Sequence, residues 1–190
     1  MKKVLTVVAI VVIVLICVLG INRQEKNLYD DAYPMECKEI VLDSAKKYDL
    51  QPSLLFALIY TESSFKPDAV SNMGAVGLTQ ITEQTFDWIK WRKNDNSDLT
   101  FDDVKKPEIA VDYGAFLLKH HIDEFGTVDN ALCAYNAGRG NLIKWLDNDE
   151  YSQDTSKGRV VVNIPFDDTK AYVEKINKIM LKYQDLYNIK

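Results

Sequence analysis

The sequence predicts an all-α domain that follows an amino-terminal membrane segment. Three observations carry that expectation. Apolar residues recur at helical spacing through most of the chain. Proline and glycine fall where helices start and stop, as at Pro52, Pro107, Gly126 and Gly138. Strand-like alternation is confined to one weak stretch, Val160–Ile164, which could pair briefly. The 190 residues are 47% apolar and 27% charged, which is globular composition and too apolar for a disordered chain.

The first element is Val4–Ile21, 18 residues of which only Thr6 and Gly20 fall outside the apolar set. As a helix it would rise about 27 Å, close to the roughly 30 Å hydrocarbon core of a bilayer. Lys2 and Lys3 precede it and favour a cytoplasmic amino end, so the remainder is expected on the extracytoplasmic side of the membrane. A small-x-small cleavage site is missing, which favours an uncleaved single-pass anchor at 1–21 over a removed signal segment. Cys17 follows the bulky Ile16, a poor context for a lipid-modified cysteine. Residues 22–35 are polar and read as a tether, and residues 36–190 as the folded domain.

Within that domain, Ile40, Val41 and Ala45 place a helix in 36–49. Pro52 suits the first turn of a second helix, whose run Leu54–Ile59 is almost wholly apolar and which ends before Pro67. Gly74 and Gly77 mark 68–82 as a turn-rich loop. Helices are expected at 83–93, at 107–125 with Gly126 as its stop, at 129–137 with Gly138 as its stop, and at 139–146. Residues 148–159 are polar and read as a mobile loop. The last helix, 168–187, carries Tyr172, Ile176, Ile179 and Tyr183 on one face.

Composition excludes several functions. With the two leading lysines set aside, 21 basic and 28 acidic residues remain, a net charge of −7. Each phosphate contact needs a cation, so no nucleic-acid partner is expected. Three cysteines make no disulfide scaffold, and no Cys/His cluster has metal-ligand spacing, so no metal and no cofactor are implied. Cys37 and Cys133 could pair outside the cell, while Cys133 within Ala131–Ala134 also reads as a small buried thiol. Trp88, Trp91 and Trp145 read as core packing or as stacking faces for sugars. His120 and His121 read as helix residues without companions for a metal.

Glu62 is the residue most suggestive of chemistry. Leu55, Leu58 and Ile59 share its helix face at i−7, i−4 and i−3, and that stripe points inward. A carboxyl at its end is partly desolvated, which raises its pKa and keeps a proton available for a leaving oxygen. The alternative is a helix-terminal glutamate that reaches water.

What surrounds Glu62 weighs on that choice. Glu62-Ser63-Ser64-Phe65-Lys66-Pro67-Asp68-Ala69-Val70-Ser71 leads into Gly74-Ala75-Val76-Gly77-Leu78-Thr79-Gln80-Ile81. Ala134-Tyr135-Asn136-Ala137-Gly138 and Ile164-Pro165-Phe166-Asp167-Asp168-Thr169-Lys170-Ala171-Tyr172-Val173 follow. In order and spacing these four blocks resemble the motifs of the soluble lytic transglycosylase family of lysozyme-like enzymes, over about residues 36–187. The resemblance implies a lysozyme-like helical domain that cleaves peptidoglycan glycan strands between N-acetylmuramic acid and N-acetylglucosamine. It implies Glu62 as the single acid and base, with a 1,6-anhydro sugar as product and no water consumed. It further implies that Ser71 helps orient the acetamido group and that Gln80 lines the sugar groove. By the same resemblance the Tyr135 hydroxyl approaches the carboxylate, Asn136 secures the backbone beside it, and Tyr172 borders the groove. Asp68 is the acidic residue nearest to Glu62 in the motif blocks and reads as a loop cap.

The chain departs from the family's usual pattern at several positions. Thr79 stands where methionine is usual before the glutamine, Thr82-Glu83 where Met-Pro is common, and Asp168-Thr169-Lys170 where Glu-Thr-Arg is usual. Lysine lacks the bidentate fork of arginine. These changes bear on subsite contacts more than on the acid. Two other readings fit much of the same sequence: a hydrolytic lysozyme, and a non-catalytic wall-binding module of an envelope-spanning apparatus. Retention of Glu62 argues against the second, because a binder does not need the acid.

Overall fold

The computed structural model describes residues 31–156 and 158–189. The apolar run Val4–Ile21 and most of the tether lie outside them. Among the described residues no helix is long and apolar enough to cross a membrane. The unit Glu36–Lys190 holds every element named below.

Seven α-helices, one 3-10 turn and one hairpin make up the described part: α1 Lys38–Lys47, α2 Pro52–Ser63, α3 Glu83–Lys93, the 3-10 turn Phe101–Lys105, α4 Pro107–Phe125, α5 Val128–Ala137, α6 Arg139–Leu146, β1 Ser152–Thr155, β2 Gly158–Val161 and α7 Asp167–Tyr187. Helix α2 is the buried centre. Leu54 through Ile59 are at most 2% exposed, as an element apolar on every side requires. It packs along α7 and against α1, with Phe56 stacked on Tyr183 at 5.3 Å between ring centroids. Pro52 lies in its first turn and Ser64, at φ 51°, ends it. The terminator is thus a serine in the left-handed region rather than a glycine, and it leaves Glu62 in the final turn.

A second apolar cluster gathers Val76, Ile81, Phe86, Ile89, Val104, Tyr113 and Leu117 beneath the 68–82 loop. That loop is pinned by antiparallel bridges of Val76 to Val70 and to Ile81. Gly77, at φ 83°, is obligatory there: a Cβ would lie 2.3 Å from the Val104 carbonyl oxygen. Thr82 caps α3 by accepting from Thr85 N at 3.3 Å, which gives the threonine at this position a local structural role. Asp112 on α4 ties three helices together through Lys47, Lys93 and the Tyr48 hydroxyl.

Residues 148–159 differ from the expectation of a mobile loop. β1 and β2 pair antiparallel from Ser152↔Val161 to Thr155↔Gly158. Buried Asn130 holds the hairpin by donating to the Arg159 carbonyl and accepting from Val161 N, both at 3.0 Å. The side chain of Arg159 in turn donates to Ser152 Oγ at 2.9 Å and to the Leu146 carbonyl. The hairpin is ordered by polar contacts from distant helices, which no local alternation announces. Cys37 and Cys133 are both free thiols, and Cys133 is 1% exposed.

Gly114, in the middle of α4, shows how tightly the loop is seated. A Cβ there would lie 2.5 Å from both Cβ and Cγ2 of Thr79. The notch lets the Thr79 hydroxyl reach the Ala110 carbonyl at 2.7 Å. Gly114→Ala is therefore expected to lower stability by about 1–3 kcal/mol through overpacking, outweighing a helix-propensity gain of up to about 1 kcal/mol. A thermal melt with Tm at or above the parent's would show that Thr79 can move aside.

Candidate active site

Glu62 lies in the last turn of α2, where the apolar stripe of Leu55, Leu58 and Ile59 meets the 68–82 loop. Burial pushes its carboxyl up to about 7 from an ordinary 4.5. Two groups pull the other way: the Tyr172 hydroxyl, which donates to Oε1 at 2.5 Å, and the positive charge of Lys175. Both come from α7, three residues apart and so on one helix face. Among the described residues no second carboxylate acts on Glu62. Asp68 is exposed and within the electrostatic reach of Lys105. The site thus holds one carboxyl, half protonated near neutral pH, with a phenol as its hydrogen-bond partner.

The second phenol of the cluster has a different hydrogen-bond partner. Tyr135, at the end of α5, donates to the Thr79 carbonyl at 2.8 Å, and the hydroxyl bonded to Glu62 is that of Tyr172. Tyr135 still lies close enough for the charge of Glu62 to act on it. Burial, chiefly, raises both phenols well above 10, so both remain protonated donors across the physiological range.

The segment 78–80 is held from three directions. Ser63 Oγ donates to the Leu78 carbonyl at 2.9 Å, Thr79 is anchored on α4, and Tyr135 takes the Thr79 carbonyl. Gln80 follows at φ 50°, and its amide donates to the carbonyls of Ala69 and Gly77 at 3.1 and 2.9 Å. Its side chain therefore knits the loop together. Ser71 Oγ accepts from the amides of Ala75 and Met73 at 3.0 and 3.3 Å and shapes the turn between them. Asn136 Oδ1 accepts from the Thr169 hydroxyl at 2.8 Å, joining the end of α5 to the start of α7. Glu62, Tyr135 and Tyr172 form one cluster, Gln80 and Ser71 build the loop beside it, and Asn136 braces the frame. The roles of Ser63, Thr79 and Lys175 are not apparent in the sequence. Of these only the i, i+3 spacing of Tyr172 and Lys175 is a usable signal.

A recess of about 320 Å³ opens beside Tyr135, lined by Gln84, Thr85, Trp88, Leu117, Tyr135 and Arg139 among others. His121 is buried against it, and burial, aided by His120, holds its imidazole down at about 4, so it is neutral. Aromatic, amide and hydroxyl groups on a neutral wall suit hydroxyl-rich, uncharged ligands.

The model of the family described as "Transglycosylase SLT domain" matches residues 39–157. Among solved structures, the chain is 28% identical to an inactive glutamate-to-glutamine variant of lytic transglycosylase Slt from Pseudomonas aeruginosa, with a TM-score of 0.72 over 84% of this chain and 25% of that one. It is 21% identical to the 70 kDa soluble lytic transglycosylase from Escherichia coli, with a TM-score of 0.73 over 84% and 26%. A 70-kDa soluble lytic transglycosylase in complex with bulgecin A gives 23% identity and a TM-score of 0.74, again over 84% and 26%. The two matches below 25% identity establish likeness of fold. This chain spans about a quarter of the length of these proteins. The matched family segment covers well over half of the chain and contains Glu62, the 68–82 loop, Tyr135 and Asn136. The chain belongs to the transglycosylase SLT domain family.

Proposed function

We propose that this protein is a peptidoglycan lytic transglycosylase. It cleaves the β-1,4 bond between N-acetylmuramic acid and N-acetylglucosamine, with Glu62 as its only acid and base. The observation that carries this reading is one partly buried carboxyl, held by the Tyr172 hydroxyl and raised by burial to about 7, on which no second carboxylate acts among the described residues. Ordinary glycosidases use two carboxylates, one acid and one nucleophile or base. With one carboxyl acting as acid and then as base, a hydroxyl of the substrate can serve as the nucleophile in place of a second carboxylate.

The steps follow from that. Protonated Glu62 gives its proton to the glycosidic oxygen as the bond from that oxygen to the muramic acid C1 breaks. The carboxylate left behind takes the proton of the C6 hydroxyl of the same sugar. O6 then closes on C1, Glu62 is again protonated, and the products are a free N-acetylglucosamine 4-hydroxyl and a 1,6-anhydro end. No water enters, and the substrate's acetamido group stabilises the cation as it forms. Tyr172 holds Oε1 through both half-steps and moderates the carboxyl's proton affinity. The Pseudomonas relative is rendered inactive by one glutamate-to-glutamine change, the behaviour this reading expects of Glu62.

We further propose that the apolar run Val4–Ile21 anchors the enzyme in the bacterial cell membrane with its catalytic domain on the wall side. Digestion of purified peptidoglycan followed by mass analysis of the muropeptides tests the chemistry. Anhydro ends, one water lighter than reducing ends, are expected. Reducing ends would overturn the transglycosylase reading in favour of a hydrolytic lysozyme.

A further inference from the structure

The three tryptophans have three different fates. Trp145 is 5% exposed and packs in the core, edge-on to Phe166. Trp88 is partly buried against the second apolar cluster, its ring 4.9 Å from that of His120 and 6.5 Å from that of Phe116. Trp91 is 70% exposed. Trp88 and Trp91 are three residues apart on α3, so they are surface neighbours at about 5–6 Å between Cβ atoms. At 70% exposure the Trp91 ring contributes little to the packed core.

The concave surface gives it a role. Trp88 and Arg139 line the recess beside Tyr135, and both also line an open depression that continues to Trp91, Arg92 and His120. The two concavities share Trp88 and Arg139, so the recess at Tyr135, a residue within electrostatic reach of Glu62, adjoins the depression at Trp91. Most charge in the depression is already paired: Arg139 with Glu124 at 2.8 and 3.0 Å and Asp123 with Lys119 at 2.6 Å, which leaves Arg92 as the cation of the lining with no ion pair among the described residues. A depression of mostly paired charge with an exposed indole suits an uncharged ring with an apolar face. A single unpaired arginine is a poor match for a polyanion or an anionic lipid surface, each of which needs several cations.

We propose that Trp91, with Trp88, is a distal stacking platform for the N-acetylhexosamine rings of a glycan strand, beyond the sugars at the scissile bond, and that it makes the enzyme prefer long strands. This rests on the functional reading above. It is tested by binding rather than turnover. Peptide-free glycan strands of two lengths, one reaching only the sugars around Glu62 and one long enough to pass Trp91, are titrated calorimetrically into the Glu62→Gln protein. Adding Trp91→Ala is expected to weaken the long strand about fivefold more than the short one. Trp91→Phe, which keeps a stacking face, should stay within about twofold of the Glu62→Gln parent. Leu181→Ala, an exposed apolar residue of α7 outside the lining of the depression, controls for general loss of apolar surface and leaves the ratio unchanged. Equal weakening on both lengths, or none, would overturn the platform. Length-dependent binding through Trp91 in a protein whose parent cuts no wall would overturn the transglycosylase reading and leave the platform standing. Failure of the Glu62→Gln protein to bind the long strand, with a parent that releases anhydro ends, would overturn the platform and leave the transglycosylase reading standing.

Discussion

Glu62→Gln is expected to lower the rate of peptidoglycan cleavage by about a thousandfold or more. One positioned acid or base typically contributes about 10²–10⁴-fold, and here one side chain performs both transfers in turn. The substitution keeps shape and keeps an Oε1 acceptor for the Tyr172 hydroxyl, so the surrounding contacts persist. A turbidity assay on cell walls, read with far-ultraviolet circular dichroism, separates lost chemistry from lost fold. Wall clearance at more than a tenth of the parental rate would show that the acid lies elsewhere.

The same carboxyl ties activity and stability to pH. Its folded-state value of about 7 lies above the ordinary 4.5 that it regains on unfolding. Between those two values the folded chain holds more protons than the unfolded one, so stability falls as pH rises through the window. The full difference corresponds to roughly 3 kcal/mol, complete above about pH 7 and absent below about pH 4.5. Urea unfolding of wild type and Glu62→Gln across this range should show the wild type losing stability relative to the variant. Parallel curves would contradict the buried carboxyl. Activity requires the protonated form at the outset, so the rate should decline above about pH 7. Tyr172 donates to the charged form and holds the carboxyl down. Tyr172→Phe should therefore shift the declining limb to higher pH while lowering the maximal rate. A limb moved to lower pH, or left in place, would remove Tyr172 from this role.

The helical frame is readable from local rules. Pro52 and Pro107 open helices because they lack an N–H that the first turn leaves unpaired. Gly126 closes one because it takes φ 76° without strain. The boundaries of α3, α4 and α6 coincide with those that spacing and punctuation predict. The hairpin at 152–161 is not readable this way, because Asn130 of α5 orders it from about thirty residues away in sequence. The departures at 79 and 82 acquire reasons only in three dimensions. Thr79 fits a notch that Gly114 leaves open, and Thr82 caps α3.

The assignment of the two tyrosines shows where reading by resemblance stops. Both belong to motif blocks, and either phenol could reach a carboxylate. Which does so depends on the Thr79 carbonyl, the acceptor that holds Tyr135, and on the angle at which α7 crosses α2. Trp88, Trp91 and Trp145 are likewise alike in sequence and differ in burial.

By itself the sequence determined the helices, the place of Glu62 at the end of an apolar stripe, and the family motifs around it. All of these follow from covalent neighbours and periodicity, which act over a few residues. Only the tertiary structure decided which phenol holds that carboxyl, how far burial lifts its proton affinity, and that one tryptophan stays in water in an open depression. Those quantities depend on desolvation and on hydrogen-bond partners up to 110 residues apart in sequence, set when the helices pack.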